Sequence, residues 1–179
     1  AAETARALQE QYRDRIGPGV WIRGFFGAGK SHLLNILYLL FSCREIPAAG
    51  KTVAGTPAEL IAGKIRNEAL ARLIRKIDPE EYLAFIFSAN HITRSGDTIL
   101  NCLPEEIARQ MGEEEFEERG FSARETAQFL EGILNRSGKK RMLIFIDEIL
   151  DVLDTADKVR KFEGLIELLP DRIWFIVTS

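Results

Sequence analysis

The sequence predicts a three-layer α/β domain built on a parallel sheet, and three observations predict it. A short apolar strand ending at Ile22 runs into a glycine-rich loop and then into an apolar helix. A second apolar run, Arg141 to Ile146, ends in the carboxylate pair Asp147-Glu148. Two further runs, Tyr82 to Ser88 and Arg172 to Val177, are separated from these by helical stretches. Short apolar strands alternating with helices read as strands buried on both faces of a parallel sheet, joined by right-handed crossovers.

Composition suits one domain. The chain has 179 residues, 46% of them hydrophobic, enough to bury a substantial core. A net charge of −3 gives no global basic balance that would argue for nucleic acid. Cys43 and Cys102 lack metal-ligand spacing and read as buried or free thiols, which suits a cytoplasmic protein. Neither a secretory signal nor a membrane-spanning apolar run is visible. The chain opens in a polar stretch and closes at a strand end, as expected for a piece of a longer protein. Residues 1–18 read as a lead-in helix.

Residues 19–44 carry the strand, the loop and its helix. Gly24-Phe25-Phe26-Gly27-Ala28-Gly29-Lys30-Ser31 has the spacing G-x-x-x-x-G-K-S of the phosphate-binding P-loop. Gly24, Gly27 and Gly29 are expected to take positive φ and bring backbone N–H groups against a triphosphate. The helix that follows points its positive end at the same anion. Lys30 is expected to neutralise the β- and γ-phosphates of ATP, and the Ser31 hydroxyl to hold Mg²⁺. The candidate nucleotide-binding set is therefore Gly24, Phe25, Phe26, Gly27, Ala28, Gly29, Lys30, Ser31 and His32. A plain glycine turn between strand and helix is the bland alternative. Leu33, Leu34, Ile36, Leu37, Leu39 and Leu40 are apolar nearly all round the helix, the pattern of a helix buried against a sheet.

Residues 45–81 read as a helical insertion. Ile46 to Gly55, with Pro47 and Gly50, is a loop. Thr56-Pro57-Ala58-Glu59 is a capping box with proline at the first helical position, predicting one helix to about Ile77, where Asp78-Pro79 stops it. Its charges Lys64, Arg66, Arg72, Arg75 and Lys76 are basic; a solvated face is the default reading and a DNA or partner contact the other. Residues 82–91 form the second strand and its end, bringing Asn90 and His91 to the nucleotide side. Asn90 is a candidate sensor, whereas a lone histidine there is usually a hydrogen-bonding loop residue.

Residues 92–140 form a helical connector. Glu113 to Glu118 reads as a solvated acidic stretch. Ser122-Ala123-Arg124-Glu125 is a second capping box, opening a helix to about Asn135. Residues 141–154 form the Walker B element. Asp147, at the carboxyl end of its strand, is placed to hold Mg²⁺. Glu148 is placed to accept a proton from an attacking water, a group that simple nucleotide kinases do not need. Both acids can also simply open the next helix. Residues 172–179 form the last strand. Thr178 and Ser179 at its end are candidate γ-phosphate sensors or, equally, turn residues.

With these parts in this order, the chain resembles the additional-strand, catalytic-glutamate division of P-loop ATPases, which includes the AAA+ group. Such ATPases insert a strand between the two Walker strands. The string Val20-Trp21-Ile22-Arg23-Gly24-Phe25-Phe26-Gly27-Ala28-Gly29-Lys30-Ser31-His32-Leu33-Leu34 is similar to the P-loop of the large ATPases of bacteriophage-exclusion (BREX) systems, the BrxC/PglY family. Phe85-Ile86-Phe87-Ser88-Ala89-Asn90 and Trp174-Phe175-Ile176-Val177-Thr178-Ser179 are similar to that family's next strand and sensor strand. Arg23 and Ala28 depart from its pattern, as does Ile149-Leu150-Asp151 after the second carboxylate. The resemblance implies ATP hydrolysis with Lys30 and Glu148 as catalytic groups. It further implies a cytoplasmic phage-defence assembly with homo-oligomeric, DNA or defence-protein contacts and no membrane. A slow nucleotide switch and a P-loop kinase are the other function classes.

Overall fold

The computed structural model describes residues 19–25, 27–45, 55–92, 98–112 and 120–179, with the backbone alone at 91 and 92. The lead-in residues 1–18, most of the loop from Ile46, Phe26 and the acidic stretch Glu113 to Glu118 lie outside these. Four strands, β1 (Gly19–Ile22), β2 (Tyr82–Ser88), β3 (Arg141–Asp147) and β4 (Ile173–Thr178), form one all-parallel sheet in the order β1-β4-β3-β2. β4 thus lies between β1 and β3, the place expected of a strand inserted between the two motif-bearing strands.

Helices cover both faces. On one side lies α1 (Lys30–Ser42), with α2 (Pro57–Ala62) and α3 (Glu68–Arg75) packed at its C-terminal end. On the other lie α5 (Ile99–Gln110), α6 (Ala123–Ser137) and α7 (Ala156–Leu168); a single turn, α4 (Ala89–Ile92), follows β2. Alternation along the strands divides the core. Met142, Ile144 and Ile146 pack with Phe175 and Val177 under α5–α7, whereas Leu143, Phe145 and Ile176 face Leu34 of α1. The α5–α7 side is the larger of the two clusters, and Phe162 of α7 meets Phe175 edge-on with ring centroids 5.4 Å apart.

Local chemistry sets the helix starts. Both capping boxes form: Thr56 with Glu59, and Ser122 with Glu125, each side chain bonded to the other residue's backbone N–H. The single helix predicted from Pro57 to about Ile77 is instead two. α2 stops at Gly63, and the Asn67 side chain accepts from the Leu70 N–H and starts α3 afresh. The corner lets Ala58 and Ala62 of one helix and Ala71 and Ile74 of the other close on Leu40 together. α1 also departs from the expected all-round burial. Leu34 and Leu40 are buried, Ile36, Leu37 and Leu39 are half-buried, and Leu33 is 44% exposed, because one helix can turn only one stripe to a sheet.

Pro104 sits inside α5 and removes the N–H that would bond Leu100 O. The buried hydroxyl of Thr126 on α6 lies 3.3 Å from that carbonyl and 3.0 Å from Ser122 O, within donating distance of either. Just before the starts of β2 and β3, Lys139 pairs with Glu80 and Lys140 with Glu81, and Arg44 also pairs with Glu80. The hydrogen bond from Lys139, then the charges of Arg44 and Lys139, hold the Glu80 carboxyl below its usual range. No helix among the described residues is long and apolar enough to cross a membrane.

Candidate nucleotide site

Strand register brings the singled-out residues to one end of the sheet. Ile22 stands opposite Thr178, and Ser88 opposite Asp147. Asp147 and Thr178 follow directly after the paired Ile146 and Val177. Ile22, Thr178, Asp147 and Ser88 therefore form one row across four strand ends. Neighbouring strands lie roughly 4.8 Å apart, so the start of the glycine loop after Ile22 is about 10 Å from Asp147, with β4 between.

The loop turns where glycine permits. Gly27 has φ 80° and Gly29 φ 79°, and Gly29 caps α1 from the left-handed region. Gly24 differs from expectation: it is not among the positive-φ residues, and a Cβ there would meet Ala28 Cβ at an ordinary 3.5 Å. The Ala28 N–H donates to Phe25 O at 3.0 Å and closes the turn. Lys30 folds back over it, its Nζ donating to Gly24 O at 3.0 Å and Phe25 O at 3.2 Å. The first turn of α1 carries no acidic side chain and no side-chain cap, so its leading N–H groups have no such acceptor. Ser31 and His32 are exposed beside them, and Phe25 is 91% exposed at the loop's crest.

The carboxylates are held from two sides, by β4 and by the turn α4 that follows β2. Asp147, half-buried, accepts a hydrogen bond at Oδ1 from the hydroxyl of Thr178. Glu148 takes φ 58° and ψ 42°, the only positive-φ residue other than glycine among those described. Its backbone N–H donates to Thr178 Oγ1 at 3.0 Å. Its carboxylate is held from the opposite side: Asn90 Nδ2 donates to Glu148 Oε2 at 3.0 Å and to Asp151 Oδ2 at 2.7 Å. Ser179 faces β1, its Oγ accepting from Trp21 Nε1 at 2.8 Å and its N–H bonded to Ile22 O at 3.3 Å.

Asp151 was not among the residues singled out from sequence. The signal was its spacing: three residues after Glu148, in the tight turn Ile149–Asp151, it comes round to the same side. Trp21 Nε1 donates to Ser179, which ties the root of the loop to the end of β4. Ser31 and Asp147 offer a hydroxyl and a carboxylate, hard oxygen donors that suit Mg²⁺ shared with phosphate and water. Among the described residues, no group of three or more His, Cys, Asp or Glu could hold a metal by itself.

Compared with known proteins, the chain matches no family model, no curated protein and no solved structure.

Proposed function

We propose that this domain binds Mg²⁺-ATP in the loop after β1 and hydrolyses it. The observation that carries the reading is the row of strand ends. It sets a glycine loop with a lysine over it about two strand spacings from an aspartate–glutamate pair, a span suited to a triphosphate. In this reading the loop N–H groups, the start of α1 and Lys30 hold the β- and γ-phosphates. Ser31 and Asp147 would hold Mg²⁺, which when bound would neutralise charge on those phosphates. Glu148 accepts a proton from water as the water oxygen attacks the γ-phosphorus. The bond to the bridging oxygen breaks, its electron pair leaves with ADP, and inorganic phosphate is released.

The resemblance to the additional-strand ATPases, and within them to the BREX ATPases, supports a finer reading. There hydrolysis drives or gates a cytoplasmic, DNA-associated phage-defence assembly, with further copies or defence proteins as partners. A slow nucleotide switch is favoured by one observation: the Asn90 amide already donates to Glu148 Oε2, one of the two oxygens a base could use. A kinase reading would be overturned by steady ATP consumption without an added acceptor.

Titration with a fluorescent ATP analogue tests the binding step. Lys30→Ala removes the cation facing the phosphates and should weaken binding by about tenfold or more. Equal affinity in the two proteins would sink the assignment.

A further inference from the structure

The backbone of Glu148 needs an explanation that its side chain does not supply. A residue with a β carbon enters the left-handed region at a cost and stays there only when its surroundings hold it. Three polar groups meet at this point. Thr178 is fully buried, and its hydroxyl lies between Asp147 Oδ1 and the N–H of Glu148. The roles in this triangle are forced. A carboxylate can only accept and a backbone N–H can only donate, so the single hydroxyl proton goes to Asp147 and an oxygen lone pair receives Glu148.

The hydroxyl thus holds one peptide unit at two points, the side chain that precedes it and the unit's own N–H. On either side the two carboxylates diverge, Asp147 to Thr178 on β4 and Glu148 to Asn90 beyond β2. We infer that Thr178 is a positioning residue that locks the Asp147–Glu148 peptide in its left-handed turn and so sets where the two carboxylates lie relative to each other. It acts on the nucleotide through those acids and not by its own contact. The inference rests on the reading of Asp147 and Glu148 as the metal-holding and water-activating groups.

The test uses two readouts, one of which needs no nucleotide. Thr178→Val keeps the shape and removes the hydroxyl; Thr178→Ser keeps the hydroxyl. Amide hydrogen exchange at Glu148 in the nucleotide-free protein should speed up by about tenfold or more in the valine variant and return to wild type in the serine variant. In ATP hydrolysis, the valine variant should lose about tenfold or more in kcat with KM within about threefold, and serine should restore kcat. Should valine prevent folding, Thr178→Ala carries the same comparison. Wild-type exchange and kcat in the valine variant, or a serine variant as impaired as valine, would overturn the inference. If the exchange pattern appears but the wild-type protein consumes no ATP, the clamp stands and the hydrolase reading falls.

Discussion

At Glu148 a left-handed backbone costs a residue with a β carbon about 1–2 kcal/mol, and it persists at the end of the strand that carries Asp147. The two acids differ in their partners, and so should differ in what their loss does. Asp147 is half-buried and bonded to Thr178, whereas Glu148 is exposed with its carboxylate on Asn90. Asp147→Asn should weaken Mg²⁺-dependent ATP binding together with turnover. Glu148→Gln keeps an oxygen for Asn90 and removes the base; affinity should stay near wild type while turnover falls by roughly 10²–10⁴-fold. The comparison of analogue binding with steady-state hydrolysis separates them. Hydrolysis at the wild-type rate by Glu148→Gln would make Glu148 a turn-opening acid and bring the switch reading forward.

Among the elements, α5 shows how a polar cluster fastens a helix to the sheet end. Glu106 is buried at 9% relative exposure and accepts from Arg109 Nη2 at 2.6 Å and Gln110 Nε2 at 2.7 Å, while Gln110 also donates to Ile86 O on β2. Desolvation of Glu106 would raise its pKa, but the hydrogen bonds from Arg109 and Gln110 and the Arg109 charge outweigh it, and hold the carboxyl below the usual carboxylate range. A carboxylate with a lowered folded pKa adds stability that is complete above the unfolded value and disappears as pH falls through the folded one. Glu106→Gln should therefore cost on the order of 1 kcal/mol at pH 7, kept modest by the exposure of Arg109. Urea unfolding should show the gap from wild type closing as pH drops below 4.5. A gap that held constant to pH 3 would mean that the ionised pair contributes nothing.

For the whole molecule, the proposed site joins segments from four strand ends, so ligand binding should be felt as global stability. ATP with Mg²⁺ at about a hundred times Kd should add roughly 2.7 kcal/mol and raise Tm by about 5–10 °C for a domain of this size. The Lys30→Ala protein, bound about tenfold or more weakly, should show about half of that rise or less at the same concentration. A calorimetric scan with and without Mg²⁺-ATP checks it, and an unmoved wild-type Tm would count against nucleotide binding.

Local chemistry was legible residue by residue. Positive φ at Gly27 and Gly29, the Thr56–Glu59 and Ser122–Glu125 boxes and the extents of β2 and β3 all follow from short-range sterics and hydrogen bonding, which neighbouring residues carry with them. The parallel sheet followed from apolar runs too short and too evenly apolar to suit a half-exposed strand. Other features depend on which distant segments meet. Gly24 has no positive φ, α2 and α3 part at Gly63 to close on Leu40, and Leu33 stays half in solvent because the sheet takes only one stripe of α1. The same holds at the site. Asn90 lies 58 residues from Glu148, and Thr178 lies 31 from Asp147; no spacing rule links them. Side-chain chemistry is written along the chain, but a hydrogen bond between strand ends exists only after the sheet sets its order and register, and that is where Asp147 and Glu148 acquire their partners.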